Sequence, residues 1–261
     1  IWYYFTHYDR GQYFPLNQVY YIVIYNLFGF NPSAFHIGSF LLHFLNTILV
    51  LILLTRLSSE LKMKPTLRKS FVWCVTIIFA IHPLQVESVA WISASKVLLY
   101  ATFTLGSLIS YLNYRMRGKI TFLLVSILGY ILSLMVKEQS IILPLNILLI
   151  DFLLHSFTVR KFNKRVWLDK IPYLVLGILF MLWSLQNDLG QLNPDWAYPW
   201  DQRAVFGSYS MIVYIVRFLL PTNLLFYYGF PILSGEELSW VYYSYIIVAV
   251  FFILYIVDLY R

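Results

Sequence analysis

Long apolar runs separated by short charged connections dominate the chain from residue 34 onward. Runs near the length needed to cross a hydrocarbon layer, roughly 17 to 25 residues, lie at about 34 to 57, 97 to 114, 119 to 136, 139 to 157, 168 to 186, 204 to 221 and 240 to 258. A shorter run at about 70 to 82 stops at His82-Pro83. The pattern predicts an all-α, polytopic transmembrane bundle of about seven or eight spans, with residues 1 to 261 as a single multi-pass membrane domain. Residues 83 to 96 are too polar to span and too apolar for a free loop. They predict an interfacial amphipathic helix with Pro83 in its first turn and Trp91 at headgroup depth.

The cations give this object a side. Three connections are strongly basic: Arg56 to Lys69 with five Lys and Arg, Arg115 to Lys119 with three, and Arg160 to Lys170 with five, together 13 of the 19 in the chain. The positive-inside rule puts all three in the cytoplasm, and two apolar runs separate each successive pair, as alternation requires. Residues 1 to 33, 83 to 96, 137 to 140 and 187 to 203 then fall on the outer side. Those segments hold Asp9, Glu87, Glu138, Asp188, Asp195 and Asp201, half of the 12 acids. Beyond residue 204 the rule gives no orientation, because the connection 222 to 239 carries Glu236 and Glu237 without a cation.

Composition agrees with a membrane solvent: 60% apolar, 20% aromatic and 12% charged residues are too greasy for a soluble surface of this size. The net charge of +7 therefore describes loop sidedness and not a nucleic-acid surface. The lone Cys74 builds neither a disulfide framework nor a metal cluster. The chain starts at Ile1, and the expectation is that the domain extends past both ends of these residues. Internal repeats, phosphate-cradling glycine loops, nucleophilic triads and zinc spacings are absent from the sequence.

Candidate chemistry concentrates on the outer side. Arg10, Lys96, Lys137 and Arg203 are cations placed against the positive-inside bias. Each is explained singly by snorkelling at a helix end; together they suit the phosphate of a lipid carrier. Glu87 and Glu138 are the carboxylates available for proton abstraction, although a first-turn acid such as Glu138 is also favoured by the helix dipole alone. On a straight helix Glu87 and Lys96, nine residues apart, face opposite sides. His36, Ser39, His43 and Asn46 form one polar stripe on an apolar cylinder, read first as interhelical hydrogen bonding. Its two histidines are roughly 10 Å apart along the axis, too far to share a metal. Asn146 and Asp151 invite the same reading, with Asp151 nearer the cytoplasmic headgroups.

Several segments resemble one family. They are Tyr13-Phe14-Pro15-Leu16, Asn26 to His36, Leu41 to Asn46, His82-Pro83 through Glu87 to Ser93, Lys137-Glu138 with Pro144 downstream, and Phe218 to Leu224. In order and spacing they are similar to the membrane domain of the tetratricopeptide-repeat-associated O-mannosyltransferase-like proteins, of the C-type glycosyltransferase fold. The resemblance implies a cell-membrane enzyme, in a bacterial inner membrane before an endoplasmic reticulum. It implies transfer of a sugar from a polyprenyl-phosphate-linked donor to a protein or glycan acceptor on the outer side, with inversion. Such a reaction needs a carboxylate base and cations, or a divalent cation as cofactor, to offset the departing phosphate. Glu87 and Glu138 are the catalytic candidates and Lys96, Lys137, Arg10 and Arg203 the phosphate-binding ones. His82, His36, His43 and Asn46 would line the cavity. The partners are the lipid-linked sugar, the bilayer and the acceptor, with no nucleic acid.

Three departures accompany the likeness. The family carries a pair of acids in its first outer loop, soon after an initial membrane helix, at a place that would precede Ile1; Asp9 is a lone acid. Where relatives have Arg-Lys-Asp after Trp-Ile-Ser, this chain has Ser95-Lys96-Val97. The tetratricopeptide repeats do not occur before Arg261. The alternative is a non-enzymatic multi-pass protein, either transporter-like, an assembly subunit or a catalytically dead relative.

Overall fold

A computed structural model describes residues 2–6, 13–61, 63–157, 167–188, 198–222, 224–225, 232 and 236–260. The described residues are helical, without a strand. They divide into two compact units, residues 1–190 and 191–261.

The first unit contains α1 (Trp2–Thr6), α2 (Pro15–Phe28), α3 (Pro32–Glu60), α4 (Pro65–Ile81), α5 (Val86–Ala90), α6 (Ser95–Arg117), α7 (Ile120–Leu134), α8 (Leu143–Phe157) and α9 (Ile171–Asp188). Proline opens α2, α3 and α4, where its fixed φ suits a helix and its missing N–H costs nothing. Asn31 caps α3 by accepting the Ser33 N–H at 3.1 Å. Gly118, in the left-handed region at φ 71°, closes α6. Among the described residues three helices are long and apolar enough to cross a membrane: Pro32–Glu60, Ile92–Arg117 and Glu138–His155. Pro65–Ile81 with Pro83–Ala90 makes a fourth if the pair, bent by 47°, is one span.

The interfacial helix expected over 83 to 96 is instead three short pieces. A 3-10 turn at Pro83–Gln85 leads into α5, Trp91 adopts an extended backbone, and a second 3-10 turn at Ile92–Ala94 leads into α6. The cause sits across the chain: the Tyr21 hydroxyl donates to the Ile92 carbonyl at 2.8 Å and meets Ser95 Oγ at 2.8 Å, which holds the break. Lys96 therefore belongs to the first turn of a different helix from Glu87. The opposed placement that one straight helix would impose on them does not hold.

Small polar residues let the helices approach closely. Ser107 and Ser126 exchange hydroxyl-to-carbonyl bonds between α6 and α7 at 2.7 and 2.8 Å, and Tyr173 of α9 donates to Ser126 Oγ at 2.7 Å. Beside them a Cβ on Gly129 would lie 3.1 Å from Ser107 Cβ and 3.3 Å from the Phe103 carbonyl, so a larger residue there would ask α6 to give by a few tenths of an ångström. From α3, the Asn46 side chain donates to the Leu98 carbonyl at 2.8 Å and accepts from Thr102 Oγ1 at 2.8 Å. The polar stripe thus includes the interhelical bond that its spacing predicts. Around these bonds Tyr111, Leu112, Tyr130, Leu143, Ile147, Leu154 and Tyr173 form a continuous apolar core.

At the basic-loop end lies a buried ionic cluster. Asp151 of α8, 1% exposed, accepts from the Tyr111 hydroxyl at 2.6 Å, pairs with Arg115 Nε at 2.8 Å and takes a bond from the 2%-exposed Lys170 ammonium just before α9. Tyr114 donates to Asp169 at 2.9 Å, and Arg56 of α3 donates to Asn113. Asp151 is therefore buried inside the protein. Water exclusion at this depth makes its cations obligatory.

The second unit holds α10 (Trp200–Leu219) and α11 (Trp240–Tyr260), packed through Val205, Phe206 and Leu238. Gln202 Nε2 donates to the Glu236 carbonyl at 3.2 Å and Tyr243 donates to Asp201 at 3.0 Å.

Replacing Asp151 by leucine strands two cations and should destabilise the protein by about 3 to 5 kcal/mol. The double variant with Lys170→Met should recover part of that loss. Thermal unfolding in nanodiscs reads both, and equal losses in the single and double variants would show that the pair is not coupled.

Candidate functional site

The opposite end of the first unit collects several residues that the basic loops assign to the outer side. Residues 13 to 16 run between the start of α6 and the end of α7. The Leu16 N–H reaches the Met135 carbonyl at 3.3 Å, and the Lys96 ammonium sits 5.4 Å from the centroid of the Phe14 ring. Tyr13, buried, packs edge-on against Trp183 of α9 with centroids 4.4 Å apart. Pro15 starts α2 beside this seam, which explains why the short Tyr-Phe-Pro-Leu run lies here: two aromatic anchors followed by a helix start.

Lys137 occupies the extended residue between α7 and the 3-10 turn Glu138–Ile142. Burial lowers its pKa below the usual lysine value, the like charge of Lys96 lowers it further, and the carboxylate of Glu87 opposes both. Glu87, Lys96 and Lys137 therefore share one electrostatic neighbourhood although they come from α5, α6 and the α7–α8 connection. With the adjacent Glu138, two lysines and two carboxylates meet at this end of the unit.

Glu138 accepts a 3.1 Å bond from Ser184 Oγ of α9, itself buried. It lies in the first turn of its short helix, as a capping acid would, yet its carboxylate is tethered laterally. Ser184 carries no sequence signal, being a lone serine in an apolar helix. Only the fold reveals it.

The remaining candidates separate. His82 accepts the Leu84 N–H on Nδ1 at 3.2 Å and so caps the turn after α4. His43 bonds the Ala80 carbonyl through Nε2 at 2.9 Å and stacks on Phe79, which makes it an α3–α4 tie. Asn46 is spent on the tie between α3 and α6. His36 is exposed and lines an open cavity of about 530 Å³ with Tyr21, Phe35, Ala90, Trp91, Ile92 and Ser93. In the second unit, Arg203 Nε donates to the Tyr198 carbonyl at 2.8 Å and its guanidinium lies 4.8 Å from the Trp200 ring centroid. Arg10 lies outside the described residues.

Among the described residues no three His, Cys, Asp or Glu side chains gather to hold a metal ion. The donor set here, lysines beside separated carboxylates, does not fit a resident divalent cation.

Lys137 carries a sign for pH. Its proton is held less tightly in the folded state than at the ordinary value of 10.5, so the unfolded chain binds more protons on the way up to that value and stability rises with pH there. Thermal unfolding between neutral and alkaline pH should show the rise, and Lys137→Met should flatten it. An unchanged slope in the variant would remove Lys137 as its source.

No family model matches the chain, and no solved structure does. A protein O-mannosyl-transferase of Caenorhabditis elegans is 28% identical over 63% of this chain, which spans 23% of that relative's length. The chain is thus an all-helical membrane protein similar in part to an O-mannosyltransferase.

Proposed function

We propose that this chain is the membrane portion of a glycosyltransferase that moves a sugar from a polyprenyl-phosphate-linked donor to a protein or glycan acceptor on the outer side. The observation that carries this reading is the half-buried Lys137 sharing its field with Lys96 and Glu87, with Glu138 adjacent. The likeness to a protein O-mannosyl-transferase supports it from an independent direction. In this reading Lys96 and Lys137 bind the donor phosphate and stabilise the charge that develops on it as the glycosidic bond breaks. Glu138, held by Ser184, or Glu87 accepts the proton of the acceptor hydroxyl, which attacks the anomeric carbon from the face opposite the phosphate. Among the described residues, three shorter apolar helices, Ile120–Leu134, Ile171–Leu185 and Trp240–Tyr255, bring the candidate spans to six, or seven if the bent pair is one span, and in this reading the basic loops lie in the cytoplasm.

A second reading is a donor-binding relative without turnover. It is favoured by Ser95, which stands where the family has a cation and is bonded to Tyr21.

The complete protein in nanodiscs, given polyprenyl-phosphate-linked mannose and a Ser/Thr-containing peptide, separates the two. Under the enzyme reading, mannosyl peptide forms, and Glu138→Gln or Glu87→Gln cuts turnover by about 100-fold or more while leaving donor binding intact. Donor binding without product would establish the second reading, and neither binding nor product would defeat both.

A further inference from the structure

Helix α4 packs along α3, tied to it by the bond from His43 to the Ala80 carbonyl, and buries Val72 and Thr76. Its other side is open. Leu67, Phe71, Cys74 and Ile78, spaced 4, 3 and 4 residues apart on one helical face, are all exposed, Leu67 to 59%. From Leu67 to Ile78 this stripe rises roughly 16 Å, about one leaflet of a hydrocarbon core some 30 Å thick.

The stripe ends on cations. Lys64 stands three residues before Leu67 and continues its spacing, Arg68 lies one turn beyond Lys64, and Lys69 follows it. Lys64 and Lys69 are exposed and Arg68 is half-buried. The helix itself does not call for these charges. A helix dipole favours acids in the first turn and cations in the last, and α4 has neither an acid at its start nor a cation at its end. Other cations of the basic loops have partners inside the protein: Arg115 and Lys170 turn onto Asp151, and Arg56 donates to Asn113. Among the described residues, Lys64, Arg68 and Lys69 pair with no carboxylate. Between residues 56 and 69 five Lys and Arg stand against the single acid Glu60, a net charge of +4.

We infer that the open face of α4 binds an anionic phospholipid of the surrounding bilayer, with its headgroup phosphate on Lys64 and Arg68 and an acyl chain along Leu67, Phe71 and Ile78. Charge and shape select this occupant together. The unpaired cations favour a net-negative headgroup over a zwitterionic one, whose own cation cancels its phosphate. The apolar stripe directly beneath them favours a lipid over a soluble phosphate or an acidic protein segment, neither of which would cover it. The inference is independent of the sugar-transfer reading, whose residues gather at the other end of the unit.

Cys74 lies on the stripe about 15 Å along the axis from Lys64, at acyl-chain depth, and so provides a reporter. The complete protein, with Cys74 as its sole cysteine and labelled with bimane, is reconstituted in phosphatidylcholine nanodiscs doped with chain-brominated phosphatidylglycerol or with phosphatidylcholine carrying the same brominated chains. Bromine quenches bimane only at short range, so quenching reports which lipid occupies the face. Phosphatidylglycerol should reach half-maximal quenching at a mole fraction lower by about fivefold or more. The preference should shrink at ~1 M salt, where the Debye length falls to about 3 Å. It should disappear in the triple variant Lys64→Gln, Arg68→Gln, Lys69→Gln. Equal quenching by the two lipids with the native cations in place, a comparison that needs none of these substitutions, would overturn the inference. A preference that survives the triple variant would overturn it as well, because the headgroup would then be held elsewhere.

Discussion

Asp151 has no water to turn to, and much of the first unit is arranged around that fact. A carboxylate at 1% exposure inside an apolar bundle persists as an ion only when cations and hydrogen-bond donors enclose it. Tyr111 and Arg115 arrive from α6 and Lys170 from the turn before α9, so one acid on α8 fixes three elements at the basic-loop end. Tyr173, three residues past Lys170, continues the tie to α7 through Ser126, where reciprocal serine bonds hold α7 against α6. These bonds span lipid-facing helices that gain little from hydrophobic burial against one another, since hydrocarbon surrounds them in any case. Polar contacts and small residues therefore set the register of the bundle. Gly177 shows the tolerance: a Cβ there would lie 2.7 Å from the Tyr130 hydroxyl.

Fixing the helices at one end determines what can be held loosely at the other. The outer end is built differently: Lys137 sits desolvated near a second lysine, and Glu138 is steadied by one serine. Two lysines and two acids meet there without the near-complete burial that encloses Asp151. The contrast between a buried ionic cluster around Asp151 and a more accessible group around Lys137 is the physical basis for proposing chemistry at the latter. The aromatic seam of Tyr13, Phe14 and Trp183 adds the shape, because rigid rings bound the lysine group.

Helix content and the apolar runs that become the three long membrane-length helices are legible from periodicity. The stripe containing Asn46 is legible as interhelical glue, because spacing alone places it on one face and a membrane supplies no water to satisfy it. The break within residues 83 to 96 is not legible, since Tyr21 holds it from 71 residues away in sequence at Ile92. Asp151 escapes sequence reasoning for a related cause. Its partners Arg115 and Lys170 count as loop cations in any charge tally, and only packing shows that they turn inward. His82 and His43 draw interest as histidines, yet each spends a ring nitrogen on a backbone group, His82 within its own turn and His43 on the facing helix α4. Ser184 offers no signal at all, because what makes it informative is Glu138 across the fold, 46 positions away in sequence.

Every role proposed for the outer end requires the group at Glu87 and Lys137 to lie on the side of the membrane opposite the basic loops. Single cysteines at Glu87 and at the exposed Lys119, each in a Cys74→Ser background, report this in sealed right-side-out vesicles treated with a membrane-impermeant maleimide. Labelling at position 87 from outside, with position 119 labelled only after the vesicles are opened, is the predicted result. Labelling of both positions from the same side, or of 119 alone from outside, would contradict it.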